Sequence, residues 1–181
     1  MKTDRGRETM ACIMCSGKLW RQLGLAGRPR PEIREHFMPG VSLGSWAAKI
    51  FSDAGRTLVL ALDARTYLTL LFPFAPDPQF RSNFATALEN ALRDAGVPPA
   101  IARVESAAVE FAPFMPLRNR ELTNSLNDVE FFCGIEFAYH DDLRTIQRNL
   151  NDIPHPSRDP CVPVEAVKRL FRESRAASCL N

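Results

Sequence analysis

Hydrophobic positions along the chain change their period several times, and the changes outline the elements. Ala11 to Met14 is a short apolar run followed by Ser16, and Leu19, Trp20, Leu23 and Leu25 then recur before the breaker Gly27. A serine ahead of a periodic apolar stretch satisfies the free N–H groups of a helix start. The stretch therefore reads as a strand leading into a short helix. Ser45 to Ser52, Arg56 to Leu62 and Arg65 to Phe72 are β-leaning runs separated by Asp53-Ala54-Gly55 and Asp63-Ala64. Both separators suit tight turns, so the spacing predicts an antiparallel meander. The second and third runs are almost wholly apolar, which implies burial on both faces and helices packed over the sheet.

Pro76 and Pro78 end this region, and Phe80, Phe84, Leu88, Ala91, Leu92 and Ala95 then recur at helical spacing until Gly96 supplies a C-terminal cap. Pro98-Pro99 opens a further helix through Ile101 and Val104, because a first turn does not need the missing N–H. Ala107 to Phe111 reads as an edge strand ended by Pro113 and Pro116. From Glu121, the residues Leu122, Leu126, Val129 and Cys133 form a helical stripe facing the core, with Asn124, Asn127, Asp128 and Phe131 on the opposite side. Leu143, Ile146 and Leu150 mark another helix, Ile153 to Pro163 a Pro-rich connection, and Val164 to Arg172 a last helix, basic at its end as the macrodipole favours. Arg28 to Gly40, with three prolines and five charged side chains, reads as an exposed irregular loop. The expected fold class is α+β: a single domain over residues 11–176, an antiparallel meander covered by helices, with tails at 1–10 and 177–181 and Met10 as an alternative start.

Composition narrows the class without changing this picture. The 181 residues, 45% hydrophobic and 24% charged, are enough for one domain with a real core. The longest apolar runs, Thr57 to Leu62 and Tyr67 to Phe74, are too short to cross a bilayer, so no membrane association is expected. Lys2, Asp4, Arg5, Arg7 and Glu8 leave no apolar segment for an export signal, and the cysteines number five, an odd count. A reduced cytoplasmic protein is the expectation. The formal charge is only +2, yet residues 1–40 hold eight Lys or Arg against four acids. That asymmetry permits nucleic-acid contact without requiring it.

Candidate chemistry concentrates in Arg118 to Asp128, where short polar side chains are denser than a core or an ordinary loop requires. Thr123 or Ser125 can cap the helix, with Asp128 three residues after Ser125 completing an acidic capping box. Capping leaves Arg118, Arg120, Asn124 and Asn127 without a task. Two arginines beside a helix N-terminus suit a phosphate or carboxylate. The stretch has no histidine, cysteine or lysine, so recognition is favoured over catalysis. Elsewhere, Cys12 and Cys15 form a CxxC whose other cysteines and histidines show no paired zinc spacing, and incidental buried cysteines are expected. His140-Asp141-Asp142 offers metal-compatible donors with weak specificity, and Ser16-Gly17-Lys18 lacks the glycine a phosphate loop requires because Cys12 stands there. No metal or cofactor is expected. Arg28, Arg30 and Arg34, with Lys168, Arg169 and Arg172, offer a basic nucleic-acid footprint, although no aromatic stacking platform accompanies them.

These features together resemble an uncharacterised bacterial domain family, found as small free-standing proteins and fused within plasmid- or transposon-associated proteins. The matching positions are Cys15-Ser16-Gly17-Lys18-Leu19, Trp46, Thr66, the run Asn119 to Asp128 against a signature like Asn-Arg-Ser-x-x-Gly-Ser-Met-Asn-Asp, and Pro160-Cys161-Val162-Pro163. The resemblance spans about Cys12 to Leu170, with Glu121 in place of a serine and Asn124 in place of a glycine. It implies a role in mobile-element or phage-conflict biology. The functional expectation is a non-enzymatic binding module, antitoxin-like or a phage-defence accessory. Arg118, Asn119, Arg120, Asn124, Ser125, Asn127 and Asp128 would recognise a protein partner or an anionic ligand. The alternative is a small metal-dependent hydrolase or nuclease using Asp128 with Arg118 or Arg120.

Overall fold

A computed structural model describes residues 12–27, 42–155 and 162–178. The expected tail at 1–10 and the loop Arg28 to Gly40 lie outside them, as does most of the tail at 177–181. In chain order the elements are β1 (Ile13–Cys15), α1 (Gly17–Gln22), β2 (Trp46–Asp53), β3 (Arg56–Asp63), β4 (Thr69–Pro73), α2 (Gln79–Asp94) and α3 (Pro99–Ala108). A short 3-10 turn (Val109–Phe111), β5 (Phe114–Pro116), α4 (Arg120–Phe137), α5 (Leu143–Asp152) and α6 (Pro163–Ser178) complete them.

The five strands form one sheet in the order β4-β3-β2-β1-β5. β2, β3 and β4 pair antiparallel around the Asp53-Ala54-Gly55 turn, where Ala54 and Gly55 both have positive φ as a tight hairpin demands. β1, however, runs parallel to β2 and to β5. The expected antiparallel sheet is thus corrected to a mixed one within an α+β fold. Helix-bearing crossovers connect β1 to β2 and lead into β5, and such connections return the chain in the same direction. A three-residue strand carries no alternation from which its direction is legible.

Two other expectations shift. Ala107 to Phe111 is the end of α3 and the 3-10 turn, and the edge strand is Phe114–Pro116 instead. Pro116 closes that strand without loss because an edge position needs no ladder N–H there. The run expected from Arg65 begins only at Thr69. The Asp63 carboxylate accepts the N–H groups of Arg65 (3.1 Å) and Thr66 (2.7 Å) and the Thr66 hydroxyl (2.8 Å), winding residues 63–67 into a turn. Tyr67 leaves this turn in the left-handed region at φ 62°.

Alternation sends the strand side chains into two cores. On one face Ile13, Trp46, Val59, Leu70 and Phe72 meet α1, α2, α3 and α6, around an aromatic cluster in which Phe84 stands edge-on to Trp46 at 5.2 Å and Phe80 packs on Phe72 and Phe114. On the other, Leu58, Leu60, Leu62 and Leu71 meet the inward stripes of α4 (Leu122, Leu126, Val129, Cys133) and α5 (Ile146, Leu150). Burial on both faces is what the apolar strands predicted. The exposed flank of β4 is occupied by amide side chains of α5: Asn151 accepts from Thr69 N–H (2.7 Å) and donates to Thr69 C=O (2.8 Å), and Gln147 accepts from Leu71 N–H (2.8 Å).

Candidate functional site

Asn119 starts α4. Its side chain accepts the Leu122 N–H at 3.1 Å, and its carbonyl takes the Thr123 hydroxyl at 2.8 Å. The cap is therefore Asn119, and Thr123 and Ser125, the residues that the spacing suggested, lie inside the helix. Glu121 sits in the first turn, where the helix dipole favours an anion, and accepts the Tyr67 hydroxyl at 3.1 Å.

Beyond the cap, the helix distributes the polar residues to separate tasks. Ser125 is fully buried and its Oγ has no hydrogen-bond partner among the described residues. Asp128 is half-buried and acts electrostatically on His155. Asn127 accepts from Lys49 Nζ at 2.7 Å, and the same ammonium pairs with Glu130. Arg118, Arg120 and Asn124 are exposed. Of the seven residues, Ser125 lies in the core, Asp128 is half-buried and the other five are exposed. A cleft of about 310 Å³ lies between α2 and α5, lined in part by Asn83, Asn90, Arg144 and Gln147, and includes none of them.

Three partners of the motif come from elsewhere in the chain and escaped the sequence reading. Lys49 projects from β2 beneath α4. Tyr67 is buried and packs against His155 with ring centroids 4.5 Å apart and planes inclined by 54°. A left-handed non-glycine residue costs about 1–3 kcal/mol. The hydrogen bonds of Asp63 hold the turn that imposes it. His155 is also buried, against the Ser125 backbone, and burial holds its pKa below the ordinary value, with the neighbouring Asp128 carboxylate pulling the other way. Lys49 alone left a signal, as a single charge within the apolar run Trp46 to Phe51.

Burial pushes the Cys15 thiol up to about 12 and raises Cys12 as well, which disfavours the thiolate form at both. Cys161 and Cys179 lie outside the described residues. Asp142 caps α5 by accepting from Thr145 N–H (2.9 Å) and Thr145 Oγ1 (2.8 Å), which hold its carboxyl below the usual range. Among the described residues no three His, Cys, Asp or Glu side chains are placed to hold a metal. Glu105 binds the N–H groups of Ser42 and Leu43, anchoring the approach to β2. In α6, Lys168 pairs with Glu165 at 2.7 Å, and Arg169 and Arg172 are exposed; Arg28, Arg30 and Arg34 lie outside the described residues.

The outward face of α4 carries the least expected feature. Past Asn124 and Asn127 it turns apolar: Phe131 is 68% exposed, Ile135 44% and, just beyond the helix, Tyr139 78%. Gly134 lies beside them, and nothing stands within 4 Å of where its Cβ would be.

A family model for a domain of unknown function, DUF6933, matches residues 12–166 and so takes in β1 through the start of α6, with the whole Arg118 to Asp128 motif. The chain belongs to the DUF6933 family. Comparison with curated proteins gives no match. No helix among the described residues of this DUF6933 domain is long and apolar enough to cross a membrane.

Proposed function

We propose that this DUF6933 domain is a non-enzymatic module that binds a protein along the outward face of α4. One observation carries the reading: Phe131, Ile135 and Tyr139 form an exposed apolar line on the helix that bears the polar signature. Solvent-facing helix surfaces ordinarily place polar residues there, and a contiguous exposed apolar patch marks an interaction surface. Arg118, Arg120, Asn124 and Asn127 supply a polar continuation at the N-terminal end. A protein is favoured over a small anion because Asn119 already takes an N–H of the first turn and Glu121 adds a negative charge there. The hydrolase alternative needs a second acid, and one candidate, Asp142, is engaged as the cap of α5. Nucleic-acid contact through Arg169 and Arg172 is a secondary reading that the exposed charge alone supports. A cytoplasmic, bacterial setting and a role as an antitoxin-like or phage-defence accessory of a mobile element extend the proposal, on the resemblance of the Asn119 to Asp128 run.

Affinity purification from the native host tests the reading. A partner should be retained by Arg118→Ala with Arg120→Ala at reduced level and lost with Phe131→Asp plus Tyr139→Ser. Retention of the partner by the latter variant, or recovery of nucleic acid released by salt in its place, would sink the protein-binding reading.

A further inference from the structure

We infer that the outward face of α4 pairs antiparallel with the same face of a second copy of this chain, about a two-fold axis at Phe131; the inference rests on the protein-binding reading above. Arg120, Asn124, Asn127, Phe131, Ile135 and Ala138 follow one another at spacings of three and four and therefore share a helix face. That face is exposed along its whole length. Its two ends carry opposite charges: Arg120 at the N-terminus and, just past the C-terminus, Asp141. Both are exposed, and neither forms an ion pair among the described residues. Arg120 lies eleven residues before Phe131 and Asp141 ten after it.

A dyad through Phe131 therefore brings the end of α4 that carries Arg120 in one copy to the end that the link with Asp141 leaves in the other, twice. The same operation stacks Phe131 on its symmetry mate and aligns opposed helix dipoles. It also places Asn127 across from Ile135 and its neighbour Gly134, and Asn124 across from Ala138. The small residues leave room for the amides at the roughly 8–10 Å separation of packed helices. Glu130, next to the axis, brings no unpaired charge because Lys49 neutralises it from below. The face is about 30 Å long and about 10–12 Å wide, at ~1.5 Å rise per residue. That footprint falls short of the roughly 800 Å² per partner of stable interfaces, so the dimer should dissociate on dilution.

Sedimentation velocity of the full chain over a dilution series reads this directly. The wild type should pass from monomer to dimer with concentration, and Phe131→Asp should stay monomeric while keeping its thermal transition, since the side chain is largely exposed. Arg120→Glu and Asp141→Arg should each weaken the dimer about tenfold, close to 1.4 kcal/mol. The double variant should recover most of that loss, because the exchanged charges meet again only across the antiparallel pair. A wild type that is monomeric at every concentration overturns the second copy as occupant, as does a dimer that the double exchange fails to restore. The broader reading survives that result if Phe131→Asp still abolishes a foreign complex, and falls with it if that complex is untouched.

Discussion

The two faces of the sheet are both sealed from water, yet they are built differently. Under α1, α2, α3 and α6 the contact is an aromatic cluster of Trp46, Phe72, Phe80, Phe84 and Phe114. Under α4 and α5 the leucines Leu58, Leu60, Leu62 and Leu71 are accompanied by polar groups that tie strands to helices, Lys49, Tyr67, Ser125, Gln147, Asn151 and His155, whereas the buried Asp63 and Glu105 bind backbone N–H groups beside β3 and β2. Buried polar atoms are costly unless paired, and a fold accumulates them where position matters more than stability. The first face holds the domain together, whereas the second fixes where α4 stands and so presents its outward line.

Truncating each face should separate these tasks. The largest effect belongs to the aromatic side: Phe84→Ala removes contacts with Trp46, Phe72 and Phe80 and should cost about 3–5 kcal/mol in denaturant unfolding. Complex formation by the molecules still folded should be unaltered. A folded Phe84→Ala protein that no longer associates would erase the distinction between the faces.

Asn151→Ala comes next. It strips the side-chain partners from both Thr69 N–H and Thr69 C=O, and a buried polar group left unpaired costs about 1–3 kcal/mol. Amide exchange at Thr69 should quicken selectively. Unchanged exchange there would mean that α5 merely rests on β4.

The smallest effect is a pH dependence. Because burial lowers the His155 pKa below its ordinary 6.5, the unfolded chain takes up the proton more readily than the folded one. Stability is full above that value and declines as acid is added through it and below, with Asp128 moderating the loss. His155→Gln should flatten the profile. An equally steep profile in that variant would move the titration elsewhere.

How much of this was legible in the chain depends on how local each feature is. The inward stripe of α4, the span of α2 up to Gly96 and the Asp53-Ala54-Gly55 turn rest on spacing and backbone preference within a few residues, and each stands where the pattern placed it. Strand direction did not, because β1 has three residues and its pairing is decided by what crosses over from α1. The motif Arg118 to Asp128 was legible as a helix entrance, but its surroundings were not. Lys49, Tyr67 and His155 reach it from a strand, a turn and the segment after α5, and only the fold brings them there.

The amides that α5 lends to β4 also govern how this protein keeps company. A bare sheet margin is a template on which any extended chain can lengthen the ladder, which is the route to fibrils and promiscuous aggregation. Here one margin is filled by Asn151 and Gln147, and the other, β5, is three residues long and finishes in a proline that has no N–H to offer. Growth by adding strands is discouraged at both ends, so contact with other chains is directed to the helical surfaces, where side-chain identity decides who may bind.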